Sequence, residues 1–338
     1  NLGGYAKDPA DNINYVSKHD NETLWDQFNY VLPSNISLAE RVRAQNIGIG
    51  IPLMSQGIPF LQLGGDFLRS KSMDRNTFDS GDWFNYVDFT MQTNNWNVGL
   101  PLAQDNQGRW NEISQFMNSP ERAAAPSDIM FASDVFKELL TIRSSSPLFR
   151  LTTADAIKQR IGFHNLGTNQ QQGLIAMSID DGITPDSDIM LTDLDANYDA
   201  LMVIINSSYE EKSIEVRTAA GFELHDVLVN SVDPVVSGAS FTDTTDGDNV
   251  KGSFTVPALS IAVFVKPQGM ARGYGMAAFA TQGAPDVVPY GDTTIYVRGG
   301  MNGWGTGNPM EYKGAGIYEA VIDLSGDEGV NFKIADAD

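Results

Sequence analysis

"NYVSKHDNETLWD" spans residues 14–26. The apolar-leaning run from Ile13 to Val16 is cut off by Ser17 and Lys18, and His19, Asp20 and Asn21 follow in a row. Residues 13–18 read as a short strand that ends in three hydrogen-bonding side chains. Outward from it, "SLAERVRAQNIGIGIPLMSQG" (37–57) places Ser37 and Glu40 at capping-box spacing. The pattern predicts a helix from about Leu38, apolar nearly all round in its later part, hence buried, and stopped by Gly57. "IPFLQLGGD" (58–66) is a compact apolar run that suits a buried parallel strand. Strand, helix, strand, with polar loops after the strand ends, is the grammar of a parallel α/β sheet or barrel.

Residues 66–111 are long, polar and aromatic with little periodicity, and a loop of that length in a compact domain is commonly functional. "PSDIMFASDVFKELLTIRSSSP" (126–147) predicts an amphipathic helix with Val135, Phe136, Leu139, Leu140 and Ile142 on its apolar side and Pro147 closing the segment. After about residue 150 the grammar changes. Short strand-like runs recur: "GLIAMSI", "ALMVIIN", "SIEVRTA", "ELHDVLV" and "GSFTVPALSIAVFV", separated by Asp, Gly, Asn and Pro clusters. They predict an antiparallel β-sandwich. Residues 266–290, rich in Gly, Ala and Pro, read as a linker. From Thr293 a second all-β unit begins with "TTIYVRG", "GIYEAVIDL" and "VNFKIAD". It supplies only three strands, marginal for a domain. Both ends read as cut, the first inside an α/β domain and the last inside a β domain. The expected boundaries are 1–145, 146–267, a linker over 268–290, and 291–338.

The 338 residues carry 22 basic and 43 acidic side chains, a net charge of −21. That balance argues against nucleic acid and anionic membrane surfaces and fits a neutral ligand or simple solubility. With 42% hydrophobic residues a packed core is expected, and the absence of cysteine excludes disulfides, thiolate metal sites and a cysteine nucleophile. No apolar run approaches the ~20 residues of a membrane span.

In a parallel barrel the active site lies at the C-terminal strand ends, where His19 and Asp20 sit. An ionised Asp there can stabilise developing positive charge, as glycoside hydrolysis requires of its oxocarbenium-like transition state. Spacing alone favours the plainer reading, an Asp that caps the next turn beside a satisfied His. A metal reading is weaker, because no second His lies nearby.

"YVSKHDNETLWD" resembles the strand-seven motif of the α-amylase superfamily of glycoside hydrolases. "GIPFLQLGGDFLRSKSMDRNTFDSGDWFN" (57–85) resembles the strand-eight segment and following loop of its pullulanase and limit dextrinase branch, and "NNWNVGLP" continues the match. The likeness covers residues 1–150 and extends through the sandwich to about residue 267. It implies the C-terminal portion of a (β/α)8 barrel, then a sandwich, in a secreted or periplasmic bacterial enzyme that hydrolyses α-1,6-glucosidic bonds of pullulan, starch or glycogen dextrins. By the same resemblance, His19 binds glucose hydroxyls, Asp20 is the third catalytic carboxylate, and Asn21 and Trp25 shape the site wall. Arg69, Asp74, Arg75, Asp82, Trp83 and Asn85 contact further glucose units. Each loop residue also has a plain reading as a surface ion pair or loop anchor.

The family's retaining mechanism uses an aspartate nucleophile and a glutamate acid/base from earlier strands. Only 18 residues precede His19, so neither is expected here and the chain alone should be inactive. "YVRGGMNGWGTGNPMEY" and "NFKIAD" resemble a starch-binding β-sandwich module, with Trp304 as the stacking candidate and Tyr296 and Tyr312 beside it. No organic cofactor is implied. Structural calcium is implied only for the parent, since "DTTDGDN" (243–249) lacks the downstream glutamate of a calcium loop and reads as a turn. The rival readings are a non-catalytic α-glucan-binding protein and an α-1,4-acting amylase relative.

Overall fold

The computed structural model describes residues 6–183, 191–276, 290–314, 317–324 and 331–337. Strand β1 (Ile13–Asn14) pairs in parallel with β2 (Ile58–Pro59), Ile13 opposite Ile58. Between them lie α1 (Leu24–Val31) and α2 (Leu38–Met54). The expected strand–helix–strand order is present, but both strands are short. They are also not buried: Ile13, Tyr15, Ile58, Phe60 and Leu63 are all exposed. Two strands cannot cover their own faces, and apolar alternation alone does not say what packs on them.

Helix α2 starts where the capping box placed it: Ser37 Oγ accepts from Glu40 N at 3.2 Å, and the Glu40 carboxylate accepts from Ser37 N at 2.7 Å. It ends at Met54, before Gly57, which instead takes a positive φ of 97° leading into β2. The reason is Arg143. Its guanidinium donates to the carbonyls of Leu53, Ser55 (2.9 Å) and Gly57 (3.1 Å), capping the helix end with a cation.

The long segment after β2 contains only short helices, α3 (Asp82–Asn85), α4 (Ala103–Asn106) and α5 (Trp110–Met117). Helix α6 (Pro126–Ser145) follows and buries Ile129, Ala132, Leu139 and Ile142. Leu140, expected on the apolar side, is 42% exposed, because it lies one position past the buried stripe.

Helix α7 (Ala154–Arg160) leads to two antiparallel sheets. The five-stranded sheet contains β3 (Ile161–Phe163), β4 (Leu174–Asp180), β5 (Tyr198–Asn206), β7 (Glu223–Leu224) and β10 (Ser260–Pro267), in the order β3-β4-β5-β10-β7. The other is β6 (Lys212–Arg217), β9 (Lys251–Val256) and β8 (Ser240–Asp243). Phe254 of one sheet meets Phe264 of the other edge to face, centroids 5.0 Å apart. This is the layout of a β-sandwich. "ELHDVLV" is not one strand: His225 caps a turn of helix, α8 (Asp226–Val229), its ring nitrogen accepting from Val227 N at 3.2 Å.

The sandwich and the helices share one core. Ile47, Leu53, Met54, Leu139 and Ile142 belong to the same buried cluster as Val203, Phe254 and Phe264. Gly50 of α2 lies so close to β10 that a Cβ there would meet Ile261 at 2.4 Å. The expected boundary at residue 145 therefore falls within continuous packing. The described part of the expected linker is docked as well. Arg272 donates to the carbonyls of Asp181 (2.6 Å) and Gly182 (3.2 Å), and Met276 is fully buried. Residues 277–289 lie outside the described residues.

In the last unit β11 (Tyr296–Gly299) pairs with β14 (Phe332–Ala335), and β12 (Glu311–Gly314) with β13 (Ile317–Glu319). No helix among the described residues is long and apolar enough to cross a membrane.

Candidate functional site

His19 and Asp20 follow the C-terminal end of β1. His19 Nε2 lies 3.3 Å from Asp20 Oδ1, and Lys18 pairs with the other carboxylate oxygen. The Lys18 hydrogen bond holds the Asp20 carboxyl below its usual range, helped by the charges of His19, Lys18 and Lys71. Asp20 is therefore an anion at neutral pH. Asn21 turns the chain with a positive φ of 60°, a conformation Asn tolerates. Thr23 then caps α1, its Oγ1 accepting from Asp26 N at 3.2 Å.

Asp20 and Asn21 line an open polar cleft of about 430 Å³ together with Arg75, Asn76 and Asp105. The cleft is thus built from two elements, the turn after β1 and the loops after β2. Asn76 Nδ2 donates to Asp105 Oδ2 at 3.0 Å, which fixes the far wall. Arg75 is exposed and offers a guanidinium fork suited to paired hydroxyls.

The other expected contacts separate into two groups. Asp82 is exposed at the start of α3, and Trp83 is 66% exposed while its indole nitrogen is anchored to the Val98 carbonyl at 2.6 Å. The ring is thus anchored at its nitrogen and mostly open to solvent. Arg69, Asp74 and Asn85 instead hold the loop together. Arg69 donates to the carbonyls of Leu63 (3.2 Å) and Asn85 (3.0 Å), and Asn85 donates to Thr77 O at 2.9 Å. Asp74 is fully buried and accepts from Asn106 Nδ2 (3.0 Å) and Ser80 Oγ (2.6 Å). Trp25 is 1% exposed and packs with Val42, Leu68 and Ile129, so its ring is core and not site wall. Its large apolar area wins that place over any position beside a polar motif.

A family model described as alpha-1,6-glucosidases, pullulanase-type, C-terminal, matches residues 91–267. The chain belongs to the pullulanase family. It is 37% identical over 278 residues to a pullulanase of Klebsiella pneumoniae, covering 81% of this chain and 24% of that protein. Against the chloroplastic pullulanase 1 of Arabidopsis thaliana it is 41% identical over 267 residues, 78% of this chain and 26% of that one. The crystal structure of the Klebsiella pneumoniae pullulanase complexed with maltotriose superposes with a TM-score of 0.72 at 36% identity, over 81% of this chain and 25% of that chain. The chain spans about a quarter of the length of the curated relatives it matches.

The family model's match runs from within the loops after β2 through α6 into the sandwich. Among the described residues no three His, Cys, Asp or Glu side chains cluster closely enough to hold a metal ion. Asp243 Oδ1 accepts from Thr245 N at 2.9 Å, and Asp246 and Asn249 exchange backbone hydrogen bonds, so residues 243–249 form a turn.

Trp304 is 47% exposed with a positive φ of 64°. Its N–H donates to Gly299 O at 2.8 Å and its carbonyl accepts from Arg298 Nε at 2.8 Å. Tyr296 is half-buried, and Tyr312 packs on Tyr318 at 5.0 Å, which in turn meets Tyr290 at 5.7 Å. Tyr318 and Tyr290 carried no sequence signal beyond being aromatic. Asn76 and Asp105 also went unread, though Asn76 lies inside a stretch carrying the resemblance and Asp105 follows shortly after another. So did Phe78 (81% exposed), Tyr86 and Phe89 (68%), which project from the same polar loop as Trp83. Their signal was available: aromatics in a polar, aperiodic loop have no core face to fill.

Proposed function

We propose that this chain is the C-terminal part of a bacterial, exported debranching enzyme that hydrolyses α-1,6-glucosidic bonds in pullulan, starch or glycogen dextrins. On this reading residues 1–145 are the end of a (β/α)8 barrel, with β1 and β2 as its last two strands. The exposed apolar side chains of those strands support it. Residues 291–338 are part of a starch-binding module. The observation that carries the reading is the cleft in which Asp20 and Asn21, from the end of β1, face Arg75, Asn76 and Asp105, from beyond the end of parallel β2. Catalytic groups at the C-terminal ends of neighbouring parallel strands are the arrangement of barrel enzymes.

Asp20 acts as the carboxylate that stabilises the oxocarbenium-like transition state of a retaining hydrolysis whose nucleophile and acid/base come from residues outside this chain. His19 and Arg75 bind hydroxyls, and Trp83 stacks on a sugar ring. The test is Asp20→Asn in the complete enzyme. Loss of an electrostatic stabiliser costs about 3–4 kcal/mol of barrier, so kcat should fall by roughly two to three orders of magnitude with KM little changed. A near-normal kcat would reduce Asp20 to a structural role.

A further inference from the structure

Lys71 is 1% exposed. A buried ammonium is costly unless it is paired, yet among the described residues Lys71 forms no ion pair with a carboxylate. Its Nζ instead donates to the His19 carbonyl and to Thr77 Oγ1, each at 3.2 Å. The backbone of the same residue donates to the Asp26 carboxylate at 2.7 Å, and Ser70 Oγ donates to its other oxygen at 2.6 Å. Asp26 is fully buried in the first turn of α1, the helix that begins directly after the motif. The bonds close a ring: from His19 through the capped start of α1 to Asp26, across to Lys71, and back to the His19 carbonyl.

That ring encloses Asn21, which sits at φ 60° between Asp20 and the helix cap, and Ser72 and Met73 next to Lys71 also take positive φ. Such turns persist where their surroundings hold them. His19 and Asp20 themselves are exposed. Lys18 holds the Asp20 carboxylate from the surface, and the backbone of the turn is held from beneath.

We propose that Lys71 is a positioning residue, a buried clamp whose ammonium holds the His19 carbonyl and so aims Asp20 into the cleft. Its positive charge, placed under the turn, also favours the ionised form of Asp20. This rests on the reading of Asp20 as the stabilising carboxylate. Asp26 is the second arm of the clamp, since it fixes the Lys71 backbone from which the ammonium reaches.

Two measurements on this chain test the clamp without any catalytic assay. In the unsubstituted chain, a Lys ammonium shielded from water and bonded to two oxygens should give a slowly exchanging proton signal in 15N-correlated spectra at neutral pH, where surface lysines give none; its absence overturns the clamp. In Lys71→Met, which keeps the stem and removes the charge, amide exchange at Asp20 and Asn21 should rise about tenfold while α2 and β5 exchange as before. Unchanged exchange at Asp20 and Asn21 overturns the proposal. In the complete enzyme, Lys71→Met should lower kcat about tenfold with KM unchanged, as expected of a lost alignment, assayed beside Asp20→Asn. If Asp20→Asn is inactive and Lys71→Met turns over normally, the clamp fails alone. If Asp20→Asn is fully active, the reading of Asp20 fails and the catalytic role of the clamp falls with it.

Discussion

Every residue of β5 after Tyr198 is buried, and its side chains are Ala, Leu, Met, Val and Ile between Asp199 and Asn206. In the loop after β2 the relation is reversed. Lys71, Ser72 and Asp74 are buried, while Phe78, Trp83, Tyr86 and Phe89 stand in solvent. The sandwich spends its apolar residues on a core. The site region spends polar groups on holding a shape, buries Phe67 and Phe84, and leaves four other aromatics outside. A loop of little regular structure can be held rigid only by such internal bonds, and exposed aromatic faces beside an anionic cleft suit a neutral, hydroxylated ligand. The difference sets the sandwich, which shares its core with α2 and α6, apart from the loops about the cleft, whose buried Phe67, Leu68 and Met73 pack in clusters of their own.

The largest expected effect tests that shared core. Arg43 of α2 pairs with Asp233 and donates to Ser260 Oγ at 2.7 Å, all three buried, joining helix to sandwich. Arg43→Ala leaves a buried carboxylate uncompensated and should cost about 3–5 kcal/mol. Urea unfolding should show one cooperative transition at a lower midpoint. A separate early transition, with the sandwich unaffected, would mean that the two regions are independent domains.

The two regions should also respond oppositely to pH. Burial pushes the Asp26 carboxyl up to about 6, against Ser70 and Lys71 hydrogen bonds that lower it. Its folded form binds protons more readily than the unfolded chain, so the stability it contributes is full below about pH 4 and lost as pH rises through about 6. Burial brings His164, in the sandwich, down to about 4. Its contribution is present above about 6.5 and lost as pH falls through about 4. Each shift amounts to about 3 kcal/mol, and in one cooperative unit they offset. Asp26→Asn should therefore leave stability rising from pH 4 to 6.5, and His164→Gln should leave it falling. Slopes of the same sign would contradict these environments.

The smallest effect concerns Trp304. In the complete module, Trp304→Ala should remove about 1 kcal/mol of stacking on maltoheptaose, roughly fivefold in Kd by fluorescence or calorimetric titration. Equal binding by a folded variant would make Trp304 a cover for the small core.

Much of this was legible in the chain. The Ser37–Glu40 box marked the start of α2 because a cap is a local event, and the short apolar runs after residue 170, bounded by Asp, Gly, Asn and Pro, marked the sandwich because turn residues delimit strands. The end of α2 was not legible, because Arg143, nearly ninety residues away, sets it. The same holds at the site. Asp20, Asn21 and Arg75, which line the cleft, were named from their stretches, but nothing local distinguishes Arg75, open to the cleft, from Arg69, spent on two carbonyls. Trp25 read as a site residue because it lies inside the motif that carries the resemblance, yet α1 turns it inward. Residues 272–276 read as linker because Gly and Ala carry no periodicity, and only the distant carbonyls they meet reveal the docking.

The central claim is that ligand contacts belong to the loops at the ends of β1 and β2 and not to the sandwich that supports them. Amide hydrogen exchange of this chain with and without saturating maltotriose tests it directly. The account predicts protection at residues 18–21, 69–89 and 103–106, with β4, β5 and β10 unchanged. Protection centred on the sandwich strands, with none in residues 18–21 or 69–89, would contradict it.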